Sequence, residues 1–188
     1  LHDGGENGLM QIRAIAERTR ATGLQGKVAI SHAFALGSAP PDEVRQAVRL
    51  LAEVDIAIMT HGPGAAAMPP IRQLHDQGVR VFAGSDNIRD AWSPFGNGDM
   101  LERAATIAYR ANLRRDEDLR FAFDIVTRGG VRGLGLTDYG LTEGGPADLF
   151  AVDVASLPEA VVRHPVRKLV MRAGRVVARD GVLLDNAA

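Results

Sequence analysis

The chain has 188 residues, 46% hydrophobic and 24% charged, with a formal net charge of −1. That is globular composition, enough for one domain core and a small second unit, and the near-neutral charge points to neither a nucleic-acid nor a membrane-surface partner. There is no cysteine, which excludes disulfides and thiolate ligands and leaves His, Asp and Glu to hold any metal. No apolar run approaches the roughly 18 residues of a membrane span, and no signal peptide is visible; a cytoplasmic location is the expectation.

Leu1 is not Met, and His2 comes before any complete element. We expect a strand stub at Leu1-His2 and read the chain as the C-terminal part of a longer polypeptide. A polar, Gly-rich turn, His2 to Gly8, leads into a predicted helix over Leu9 to Thr22, with Leu9, Ile12, Ile15, Ala16 and Thr19 on one side. Lys27 to Phe34 reads as a strand ending near Ser31-His32. Pro40-Pro41-Asp42 opens a second helix with an apolar stripe of Val44, Ala47, Val48 and Leu51. Asp55 to Thr60 is strand-like and closes at His61-Gly62-Pro63-Gly64. A third helix, Pro70 to Gln77, is stopped by Gly78.

The stretch from Val79 to Pro94, VRVFAGSDNIRDAWSP, begins as a short apolar run and breaks at Gly84 to deliver Ser85, Asp86 and Asn87. Such a run bounded by turn signals reads as a buried strand. Helical periodicity then covers Asp99 to Ala111 and Asp116 to Thr127, and a Gly-rich turn is expected around Gly129 to Gly135. From Thr142 the pattern changes to short strands: Leu149 to Val154, a hairpin of Val166 to Met171 and Arg175 to Ala178, and an edge near Gly181 to Leu184.

Strands alternating with helices over residues 1–141 predict an α/β fold with a parallel sheet, either half of an eight-stranded barrel or a doubly wound open sheet. Residues 142–188 read as a small appended β unit. No G-x-G-x-x-G or phosphate loop occurs, which weighs against a nucleotide-binding open sheet. His2, His32 and Asp86 each fall just past a predicted strand end, where both folds keep their chemistry. Two imidazoles and a carboxylate make a candidate metal site. The competing reading makes Asp86 a turn cap and His32 a core histidine.

Taken as a set, Leu1-His2 with Glu6, Ile30-Ser31-His32, Gly84-Ser85-Asp86-Asn87 with Asp90 to Gly96, and Gly144-Gly145-Pro146-Ala147-Asp148-Leu149 resemble the C-terminal half of the amidohydrolase superfamily, in its cytosine-deaminase-like branch. The resemblance covers nearly the whole chain. It implies the second half of a distorted (β/α)8 TIM-type barrel, strands five to eight, followed by strands of a small β-sandwich. It makes His2 and Asp86 ligands of one divalent metal ion, Zn or Fe, and places His32 beside the metal water. Asp86 would also take the proton from that water as it attacks. Glu6 is the candidate for the acid that protonates the ring and the leaving ammonia, although the spacing is His2-x-x-x-Glu6 where the family has H-x-x-E. Trp92 would close over a planar base, and Asn87 stands where cytosine deaminases have a second Asp. His61 lies at a strand end and receives no role. The family's first-strand H-x-H pair is absent, so the N-terminal half of the same polypeptide is the implied partner; homo-oligomerisation is left open.

The function expected is metal-dependent hydrolytic deamination of a small nitrogen heterocycle, a cytosine-like pyrimidine or related ring. The alternatives are another amidohydrolase, acting on a cyclic amide or triazine-type ring, and a non-catalytic fragment lacking the first-strand ligands. The sequence leaves the fold to decide whether His2 and Asp86 converge.

Overall fold

A computed structural model describes residues 1–62, 64–137 and 139–185. Pro63 of the turn expected after the third strand-like run, and residues 186–188 of the expected tail unit, lie outside the described residues. The order is α1 (Gly5–Thr22), β1 (Val28–Ser31), α2 (Ala35–Ser38), α3 (Pro41–Glu53), β2 (Ile56–Thr60), α4 (Ile71–Asp76), β3 (Val81–Ala83), α5 (Met100–Arg110), α6 (Asp116–Ile125), α7 (Arg128–Gly133), β4 (Leu149–Ala151), α8 (Leu157–Arg163), β5 (Leu169–Arg172), β6 (Arg175–Arg179) and β7 (Val182–Leu183). The fold is mixed α/β.

Local chemistry accounts for the helices that were expected. In α3, Pro41 lies in the first turn, where its missing N–H costs nothing, and Asp42 and Glu43 sit at the positive end of the helix dipole. Its predicted stripe, Val44, Ala47, Val48 and Leu51, is the face it buries. In α5, the Asp99 carboxylate caps the helix, accepting from the backbone N–H groups of Leu101 at 2.9 Å and Glu102 at 3.1 Å. Leu101, Ala104, Ile107 and Ala108 form its buried face.

Among the described residues, β1, β2 and β3 form a parallel sheet in that order. β2 is central, and Ile56, Ala57 and Ile58 are fully buried, as a strand covered on both faces requires. Val28 pairs with Ile56 and Ser31 with Met59; Ile58 pairs with Val81 and Thr60 with Ala83. This register brings the C-terminal ends of all three strands level. Leu1 is not within a strand, but its amino group donates to the Ser31 carbonyl at 2.8 Å, so the chain start lies against the end of β1.

β4 to β7 form a separate antiparallel sheet in sequence order, containing the expected hairpin and edge. Three helices differ from the sequence reading, the first being the short α2, where no element was expected. The Gly129 to Gly135 stretch is largely helical, as α7, and not a turn. Its glycines allow close approach: a Cβ on Gly133 would run into the Phe82 ring, and one on Gly129 would meet the Val81 carbonyl at 2.9 Å. The tail, expected to be a small β unit, also contains α8, which packs on α5 and α6 and buries Ala160 and Val161 in the main core. Residues 142–185 therefore contribute to the α/β core as well as to the second sheet. Ser156 caps α8 by accepting from the Glu159 N–H at 3.3 Å, and the Glu159 carboxylate accepts from the Ala155 N–H at 2.9 Å. Ser156-Leu157-Pro158-Glu159 carries the S-x-x-E signature of a helix start.

Candidate active site

The level strand ends present three residues side by side. His32 directly follows β1, His61 directly follows β2, and Asp86 lies three residues past β3. The ladder runs slightly beyond the strands, because the His32 N–H donates to the Met59 carbonyl at 3.0 Å and the Gly84 N–H to the Thr60 carbonyl at 3.1 Å. The chain then turns sharply. His32 has φ +68° and Asp86 φ +56°, left-handed values that cost a non-glycine residue about 1–2 kcal/mol. Strained backbone of this kind gathers where side chains must be aimed. Gly62 has φ +87°, and the space a Cβ would need is taken by Ile107 of α5. A side chain there would push α5 away from the His61 loop.

His32, His61 and Asp86 each offer a ligand atom, and these atoms lie within 4.8 Å of one another. His32 Nδ1 and His61 Nδ1 are 3.2 Å apart, and His61 Nε2 lies 3.8 Å from Asp86 Oδ2. Burial holds the His32 imidazole below its ordinary pKa; His61 and His2 lower it further, and Asp86 opposes them. A neutral imidazole is the form that can ligate a metal or hydrogen-bond a water through a free nitrogen.

The other predicted residues divide in two. Asp86, Asn87 and Trp92 line one cavity of about 530 Å³ with His61, Phe95 and Arg103, within the size range of small-molecule sites. Trp92 is 88% exposed and Phe95 78% exposed, so both rings are available to cover a ligand. The Asn87 amide N–H donates to the Asp90 carboxylate at 2.5 Å, which leaves its carbonyl oxygen as the free acceptor. Asp90 also accepts from the backbone N–H groups of Trp92 and Ser93, both at 2.9 Å, and so shapes the loop that carries Trp92.

His2 and Glu6 stand outside that cavity lining. His2 is exposed, and its ring stacks on His32 with centroids 4.7 Å apart; it is not in the three-donor group. Glu6 lies in the first turn of α1 and pairs with Arg13 at 2.7 Å. A hydrogen bond with Glu43, then Arg13, holds its carboxyl below the usual range, while the shared bond raises Glu43. His61, given no role from the sequence, is the residue the register adds. Its position matches that of His32, one residue past the end of a strand, and that was the available signal.

Two imidazoles and a carboxylate suit Zn or Fe. Ligands about 2.0–2.2 Å from one ion stand about 3.3–4.4 Å apart, close to the separations here, so the donor set fits a divalent metal.

Residues 1–178 match the amidohydrolase family. The chain is 32% identical over 185 residues to N-isopropylammelide isopropyl amidohydrolase of Pseudomonas sp. (strain ADP), covering 98% of this chain and 46% of that protein. In structure it is similar to N-isopropylammelide isopropylaminohydrolase from Burkholderia multivorans, with TM-score 0.94, 44% identity, and 98% of this chain and 47% of that one covered. It is also similar to 5-methylcytosine deaminase from Klebsiella pneumoniae liganded with 5-fluorocytosine, with TM-score 0.79, 29% identity, and 89% and 44% covered. The chain thus spans about half the length of these relatives. With the family matched over nearly its whole length, the chain belongs to the amidohydrolase family.

Proposed function

We propose that this chain forms the Asp86 side of a metal-dependent hydrolase site that cleaves a C–N bond on a small nitrogen heterocycle, releasing an amine or ammonia. The observation that carries this reading is the convergence of His32, His61 and Asp86 at one edge of a parallel sheet, with His61 and Asp86 lining a cavity that also holds the sole tryptophan. We read β1 to β3 as consecutive strands of a barrel completed by the N-terminal half of the same polypeptide. His32, His61 and Asp86 would hold the metal, Zn or Fe, with His2 able to join them by turning off its stack on His32.

A divalent ion held there would make a water far more acidic than it is in bulk, with a pKa of about 7. Asp86 is the base placed to take a proton from an attacking water. His32, whose burial favours the neutral ring, already engages Nδ1 with His61, so its remaining nitrogen is the one that would ligate the ion. Trp92 and Phe95 offer flat apolar cover for a ring. Asn87 offers a carbonyl oxygen and so reads a ring N–H or an amino N–H. Glu6 remains the candidate second acid, and would have to leave Arg13 to reach the ring.

The substrate class favoured is a triazine-like ring bearing an alkylamino group, because the identity to the N-isopropylammelide hydrolase is higher than that to the cytosine-type deaminase. The test is metal analysis of the full-length protein, then measurement of amine and ammonia release over amino- and alkylamino-substituted triazines, pyrimidines and pterins. Release of alkylamine from a triazine with stoichiometric metal is the expected result. A protein that holds no metal and releases nothing from any ring would be a binding domain, and the reading would fail.

A further inference from the structure

We infer that Arg103 is a positioning residue that sets the separation of His61 and Asp86 by gripping the main chain of both loops at once. The inference rests on the reading that these two side chains act together. Arg103 lies on α5, one turn past the Asp99 cap. Its Nη1 donates to the His61 carbonyl at 3.0 Å and its Nη2 to the Ser85 carbonyl at 3.0 Å. One acceptor is His61 itself, and the other immediately precedes Asp86.

Three physical points make this a clamp. First, Thr60 and Ala83 are the last paired residues of β2 and β3, with a single further bond at Gly84, so the ladder stops short of the residues that matter. Second, the guanidinium is planar with donors at fixed spacing, so the two carbonyls it joins cannot drift apart independently. Third, α5 is itself anchored by buried Leu101, Ala104, Ile107 and Ala108. The guanidinium is partly desolvated, and the charges of Glu102 and Asp86 support its charge. Arg110, two turns on, donates to the carbonyls of Gly62, Gly64 and Ala66, all on the one loop after β2. The two arginines therefore have separable tasks: Arg110 shapes a loop, and Arg103 ties one loop to the other.

The experiment compares Arg103→Met, Arg103→Lys and Arg110→Met with wild type in the full-length protein. The readouts are metal-free crystal structures, zinc affinity by chelator competition, kcat and KM separately, and activity with added guanidinium ion. In Arg103→Met the 3.8 Å His61–Asp86 separation should widen by about 1 Å. A displacement of that size costs about 10²-fold in kcat, and KM should change less. Guanidinium should restore part of the loss. Arg103→Lys, with one point donor, should hold one carbonyl and fall between; it also serves if the Met variant does not fold. Arg110→Met should lower thermal stability and leave the separation unchanged. Arg103 variants with the wild-type separation, zinc affinity and kcat would overturn the inference. If wild type itself binds no zinc, the metal reading fails, while the metal-free separations still decide the role of Arg103.

Discussion

His32 and His61 face one another Nδ1 to Nδ1 at 3.2 Å, across the level ends of β1 and β2. A hydrogen bond at that distance needs a proton on one nitrogen and a lone pair on the other, so each ring constrains the other's tautomer. His61 in turn aims Nε2 toward Asp86. The pair therefore links two strand ends to the carboxylate on the third.

The first prediction separates His61 from His2. His61→Ala should lower zinc affinity by at least about 10–100-fold, the scale for losing even an outer partner of a ligand. His2→Ala should be measured beside it, by chelator competition on the full-length protein. A larger loss from His2 would mean that the N-terminal segment turns into the site on metal binding. Retention of full affinity by His61→Ala would remove that residue from the metal set.

Asp86→Asn should keep the fold and part of the metal, and lose about 10²–10⁴-fold in turnover, the scale of general-base loss. The amide still offers an oxygen, but it carries no charge and takes no proton. Single-turnover kinetics beside metal analysis check this. Near-normal turnover would leave Asp86 a turn residue held at φ +56°.

Asn87→Asp should alter which ring is accepted while leaving metal content intact. The new carboxylate would face Asp90 where an amide N–H now donates at 2.5 Å, so like charges would also loosen the Trp92 loop. Substrate profiling and the fluorescence of Trp92, the sole tryptophan, read the two effects independently. An unchanged profile would place Asn87 outside substrate recognition.

The same loop should respond to acid. Asp90 is held below its ordinary value of 3.8 first by the Asn87 amide, then by the Ser93 and Trp92 N–H groups. The unfolded loop thus binds more protons than the ordered one between the two values. The stabilisation is fully present above pH 3.8 and is lost as pH falls through the lower, folded value. Trp92 fluorescence should show a transition in that acid range, and Asp90→Asn should remove it. Persistence of the same transition in Asp90→Asn would assign it to other carboxylates.

Two glycines in α7 should behave oppositely. Gly130 has open space where an alanine methyl group would stand, so Gly130→Ala should stabilise by about 0.5–1 kcal/mol through helix propensity. Gly133→Ala would press on the Phe82 ring and should destabilise by about 1–3 kcal/mol. Urea denaturation of both variants measures the contrast; equal effects would remove close packing as the reason for Gly133.

Local chemistry makes much of the fold readable in the chain itself. The stripe of α3, the span of α5 and the apolar runs of β1 to β3 lie within a few residues of their expected positions, because periodicity and turn residues act over one or two turns of chain. His32 and Asp86 are visible for the same reason, each just past such a run. α8 also has a local signature, in Ser156-Leu157-Pro158-Glu159, although it lies among strands that mask it.

Other features required the tertiary structure. α7 reads as a turn because its glycines answer to Phe82 and Val81, about fifty residues earlier in the chain. His61 joins the site through the register of β1 on β2 and β2 on β3, and a strand does not carry its own register. Arg103 meets carbonyls 42 and 18 residues away, and a backbone acceptor leaves no residue-type signal. The sequence by itself determined which residues could do chemistry at strand ends, because side-chain type and local patterning are written in it directly. Only the tertiary structure decided which of them stand together and what holds them there, because packing across the chain sets both.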